Sequence, residues 1–284
     1  MAEEWLLRLR WSSPPLVDVL CVARRRWRGS GLSLQTYRDA VREAVTDIRQ
    51  AELMTAMRTA NKVGQRLQRA GIEVQVWARH GDPAAEIVAM IRSERPDLAV
   101  VSQGGRRGAL DPRPTMAEQV VRRGEIATLR ARGSAADSGQ LPQQILLAVT
   151  HEHLAEHALR WLGRTGWLRE SQLTLIGLET QVPSPAGHAS APPPESDAVS
   201  ERTLGRLAAV AASEAEHGAI DSRLLRADPS ADALLEAVEG RAPDLVVIPH
   251  PRPGQRYALA ETLASAASAA VLVLPVGVGD SPAA

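Results

Sequence analysis

The sequence contains no phenylalanine and only two tyrosines in 284 residues. Its cores must therefore be built from Ala, Val, Leu and Ile, with tryptophan at a few places. A single cysteine, Cys21, excludes an internal disulfide framework and a cysteine metal cage. Cys21 falls in an apolar run and reads as a small core residue, not a nucleophile. Net charge is also missing, because Lys+Arg and Asp+Glu number 33 each. That balance argues against bulk nucleic-acid binding, which depends on neutralising phosphates. No run approaches the roughly 18 apolar residues of a membrane-spanning helix. The first residues lack the basic-then-apolar order of a signal peptide. The expected location is the cytoplasm.

What is present is a strand that runs into a glycine-rich basic loop, Pro96-Asp97-Leu98-Ala99-Val100-Val101-Ser102-Gln103-Gly104-Gly105-Arg106-Arg107-Gly108. A continuous apolar run suits a parallel strand covered on both faces. Open α/β sheets bind ligands at the carboxyl ends of such strands. A weaker copy follows at Pro243-Asp244-Leu245-Val246-Val247-Ile248-Pro249-His250-Pro251-Arg252-Pro253-Gly254.

Around these runs, strands and helices alternate. Strands are predicted over 16–22, 73–77, 98–101, 126–129, 145–149, 173–178, 219–226, 244–248 and 270–274. Helices are predicted over 2–11, 34–70 (with room for a kink), from Pro83, and over 115–123, 153–168, 199–216 and 256–268, with another opened by Asp228-Pro229. In the Gly81-Asp82-Pro83 turn, Asp82 is the expected N-cap and Pro83 the first helical residue. Such alternation predicts parallel sheets with helices on both faces. Residues 133–143 read as a polar linker, 181–197 as a disordered insertion and 277–284 as a tail.

The two halves repeat each other. Trp5 and Trp11 are spaced as Trp161 and Trp167 are. Asp82-Pro83 pairs with Asp228-Pro229, Pro96-Asp97-Leu98 with Pro243-Asp244-Leu245, and Ala117-Glu118 with Ala260-Glu261. In this register the strand at 145–149 has no counterpart in the first half. The expected domains are 1–132, lacking its first strand, and 144–276. Either the chain starts late, or it is a piece of a longer protein, or another segment fills the place.

These residues resemble the universal stress protein family in tandem. The likeness rests on Gly81-Asp82-Pro83, Ala85-Glu86-Ile87-Val88, Pro96 to Val101, Ala117-Glu118-Gln119-Val120-Val121 and Ala270 to Pro275. It implies two doubly wound, parallel five-stranded sheets of the flavodoxin-like sandwich class, and pairing through last strands, within the chain or in a homodimer. It also implies an ATP site with a Gly-x-x-Gly-x9-Gly-Ser/Thr loop after strand four and an aspartate ending strand one. Here Gly105 and Gly108 match the start of the loop, while Pro114-Thr115 stands at the downstream pair with a shortened spacer. In the second half, Thr150 stands at the aspartate position, and the loop reads His250-Pro251-Arg252-Pro253-Gly254. Neither half holds a full motif.

The candidate ligand residues are therefore Gly104, Gly105, Arg106, Gly108 and Thr115 in one half, and Thr150, His250, Arg252 and Gly254 in the other. Glycines permit close backbone approach, and arginines, Arg107 among them, add charge for an anion. The competing reading of each loop is a solvent-exposed turn. His153 and His157 share a helix face at a spacing that also suits a metal pair, but solvated histidines are the commoner outcome, and no metal is expected. Arg24 to Arg28 with Trp27 reads as an exposed basic loop. No nucleophile–base–acid set can be assembled.

The expected function is a non-catalytic regulatory or binding module of stress response. Alternatives are the cytosolic regulatory region of a membrane transporter, which upstream genomic sequence would test, and a genuine ATP- or AMP-binding protein with slow hydrolysis. Expected partners are a transporter or other protein, or the two halves themselves; nucleic acid is not among them.

Overall fold

Capping and periodicity fix the elements of this chain locally. A computed structural model describes residues 2–9, 15–24, 35–102, 115–123, 126–132, 142–178, 199–215, 219–225, 231–251 and 258–276. The polar linker, apart from residues 142–143, lies outside them. So do the insertion at 181–197, the tail at 277–284, the basic loop after Arg24, and Asp228-Pro229. The chain forms two compact units, Met1–Ser12 with Pro96–Ala284, and Ser13–Arg95.

The chain opens with helix α1 (Ala2–Arg8), which belongs to the larger unit. The smaller unit contains β1 (Leu16–Arg24), α2 (Gln35–Arg69), β2 (Glu73–Gly81) and α3 (Pro83–Glu94). β1 and β2 pair in parallel, with Leu16 opposite Glu73 and Leu20 opposite Trp77. The Trp77 indole donates to the Asp18 carboxylate across the pair at 2.8 Å. Helix α2 is one continuous helix of 35 residues. It approaches β2 closely at Gly64, where a Cβ would lie 2.8 Å from a Val76 methyl.

At the head of α3 the Asp82 carboxylate accepts from the Ala85 N–H at 3.1 Å, with Pro83 as the first helical residue. This satisfies a backbone donor that the helix leaves open. Asp82→Ala should destabilise the chain by about 1 kcal/mol, read as a lowered urea midpoint. The helix stops at Arg95, which turns left-handed (φ 49°) just before Pro96. Ala242 does the same (φ 45°) just before Pro243. Two non-glycine residues in this region at equivalent places support the repeat, since each is strained unless the fold requires it.

The larger unit holds a seven-stranded sheet. Its elements are β3 (Leu98–Ser102), α4 (Met116–Arg123), β4 (Ala127–Ala131), β5 (Gln144–Val149), α5 (Glu152–Arg164), β6 (Gln172–Leu178), α6 (Glu201–Glu214), β7 (Ile220–Leu225), α7 (Ala231–Arg241), β8 (Leu245–Pro251), α8 (Ala258–Ala266) and β9 (Ala270–Val276). The strand order is β3-β4-β9-β8-β5-β6-β7. All neighbours are parallel except β4 and β9. The second copy is thus a complete five-stranded parallel sheet, β9-β8-β5-β6-β7, with β5 at its centre. Among the described residues the first copy has four strands, two in each unit, and none equivalent to β5. The α/β class with mostly parallel strands stands as read from the sequence, with the described strands in one two-stranded and one seven-stranded sheet.

Alternation along β5 builds both faces of the core. Ile145, Leu147 and Val149 join Trp5, Leu159, Leu162, Trp167 and Leu204 on one face. Leu146 and Ala148 join Val121, Leu234, Val238 and Leu263 on the other. Helices α1, α5 and α6 therefore cover one side, and α4, α7 and α8 the other. Helix α1 packs on β3 and β4, and α5 packs on β8 and β9, so the spaced tryptophans mark equivalent helices.

The antiparallel seam between β4 and β9 pairs Thr128 with Val273, Leu129 with Leu272 and Arg130 with Val271. Leu98 pairs with Ala127 in one copy and Leu245 with Ala270 in the other, so Leu129 and Leu272 are equivalent residues. The seam thus sets two equivalent residues opposite one another. Both leucines are fully buried, and the equivalent helices α4 and α8 pack together beside the seam.

Candidate functional site

The sequence places its candidate ligand residues at the carboxyl ends of β3, β5 and β8. Gly104, Gly105, Arg106 and Gly108, with Arg107, lie outside the described residues, as do Arg252 and Gly254. The structure describes Thr115, Thr150 and His250.

Thr115 precedes α4 and caps it. Its hydroxyl accepts from the Glu118 N–H at 3.2 Å, and the Glu118 carboxylate accepts from the Thr115 N–H. This reciprocal pair is a capping box, and Thr115-Met116-Ala117-Glu118 carries its spacing in the sequence. One lone pair of the Thr115 hydroxyl is therefore committed to the helix end.

Thr150 follows β5, and its hydroxyl lies 3.3 Å from Nδ1 of His151. Leu147 pairs with Val247, so Thr150 and His250, three residues further along their strands, reach the same sheet edge. His250 is buried (4% exposed) on β8 between Pro249 and Pro251. Proline has no N–H to offer an anion, so the backbone on both sides of His250 lacks the donors that phosphate sites use. Thr115 is in the first copy and belongs to a different strand end.

The histidines at the start of α5 do not assemble a metal centre. Their acidic neighbours are held by arginines, Glu152 by Arg206 and Glu156 by Arg160. The rings of His151 and His153 pack edge to face, 5.9 Å apart. Among the described residues, no group of three or more His, Cys, Asp or Glu is arranged to hold a metal ion. Cys21 lies on β1, where burial pushes its thiol pKa up, the direction that reduces thiolate reactivity. A cavity of about 270 Å³ is lined by Gln144, Gln172, Ile220, Asp221 and Arg241. These residues are at the amino ends of the strands, opposite the edge where such sheets bind ligands.

Two side chains that the sequence reading did not select organise the sheet. The Asp244 carboxylate accepts from the N–H groups of Gln143 and Gln144, at 2.9 and 3.1 Å, while its own N–H donates to the Gln144 carbonyl. It clasps the start of β5 onto β8. The signal was the repeated Pro-Asp-Leu, whose aspartate was used only to align the copies. Arg130 is the other. The strand expected to end at Leu129 runs on to Ala131 and buries Arg130, which is 2% exposed. Its guanidinium donates to the carbonyls of Ala267 and Ala269, at 2.8 and 2.9 Å, and Arg132 also donates to Ala267. A cation at the carboxyl end of α8 complements the helix dipole. Burial, with Arg132 adding to it and Glu118 opposing it, lowers the Arg130 pKa to about 10. A base whose pKa falls on folding costs stability at pH values below that point, so the carbonyl bonds have a desolvation penalty to offset.

No protein-family model matches the chain, and no curated protein matches it. Among solved structures, it is similar to a universal stress protein from Archaeoglobus fulgidus. The two are 16% identical, with 93% of this chain and 87% of that chain covered and a TM-score of 0.55. A Pseudomonas aeruginosa protein of unknown function is 15% identical over 95% of this chain and 94% of its own, with a TM-score of 0.44. A Burkholderia pseudomallei member of the universal stress protein family is 17% identical, covering 48% of this chain and 98% of its own, with a TM-score of 0.32. The first likeness establishes the fold. Among the described residues, no helix is long and apolar enough to cross a membrane.

Proposed function

We propose that this chain, folded as universal stress proteins are, is a non-catalytic binding module of stress-response regulation whose nucleotide sites are eroded. The observation that carries this reading is the chemistry at the ends of β5 and β8. A threonine stands where the family resemblance puts an aspartate. A buried histidine between two prolines stands where backbone N–H groups would meet phosphate. The first copy adds Pro114 in place of a motif glycine, and a Thr115 hydroxyl engaged in capping. Pairing of the two copies through their last strands, as at the β4–β9 seam, is the assembly this module would use.

Calorimetric titration with ATP and with AMP, each with magnesium, tests the reading. The expected result is no saturable heat up to millimolar nucleotide. Saturable binding in the micromolar range would replace it with a nucleotide-binding function through the Gly105–Gly108 loop. Loss of that binding in Gly105→Val or Gly108→Val would locate the site there.

A further inference from the structure

No further inference is drawn: the strongest candidate, the cavity at the amino ends of β5, β6 and β7 lined by Gln144, Gln172, Thr174, Asp221 and Arg241, carries nothing, because each of these side chains is exposed or half-buried, Asp221 and Arg241 already face each other at 3.6 Å, and nothing there points to a ligand.

Discussion

Leu129→Asp should unfold the seven-stranded sheet, with a loss of at least about 4 kcal/mol, and leave little native protein in a urea titration followed by circular dichroism. The residue is 0% exposed and lies opposite its own equivalent, Leu272. Nothing nearby on that face pairs with a carboxylate, because the surrounding cluster is formed by Trp5, Ala131, Ala270 and Leu272. The buried carboxyl would hold its proton to a higher pH than a free aspartate does. The deficit should therefore shrink as pH falls toward and below 4, within the range where the rest of the protein survives acid. Leu129→Ala removes only packing and should cost about 2–5 kcal/mol with no such pH dependence. Equal stability of the wild type and Leu129→Asp would mean that the seam does not exist as described.

The second large effect is expected at Trp5. Its indole is 1% exposed, and its N–H donates to the Arg132 carbonyl at 3.4 Å. Trp5→Ala should cost about 3–5 kcal/mol, since the cavity left under α1 is lined by β-strands that cannot collapse into it. Its equivalent, Trp161, is partly exposed and leans edge-on against Trp167 at 5.2 Å. Trp161→Ala should therefore cost clearly less. Urea denaturation of both variants measures the contrast, and equal losses would refute the burial argument. Repeat-equivalent residues thus differ in energetic weight because one is buried and the other partly exposed.

Much of the fold was legible because local signals are strong where they occur. Asp82-Pro83, the left-handed stops before Pro96 and Pro243, and the unbroken apolar runs at Leu98 and Leu245 each constrain the backbone within a few residues. The compact units were not legible. They divide the chain at Arg95, between two strands of the first copy, and no local pattern marks such a division. Arg130 was also hidden. An arginine in an alternating strand reads as a solvent-facing residue unless the carbonyls it meets, at Ala267 and Ala269, are known. Of the candidate site, the sequence placed the end of β5 at Val149 as found, but β8 runs past the expected Ile248 through His250 to Pro251, so His250 is a strand residue and not a loop residue. The sequence reading also did not weigh Thr115 as a cap against Thr115 as a ligand. The Glu118 three residues on carried that information.

The seam also governs which molecules can recognise each other. Its halves are no longer alike: Arg130 stands at the position that Val273 fills in the other copy. Two first copies from separate molecules, joined in the same antiparallel register, would set each Arg130 opposite the other's Thr128 and bury two guanidiniums in one seam. Two second copies would meet valine to valine without the arginine bonds to the end of α8. A single buried cation would thus favour the pairing of unlike copies over like ones.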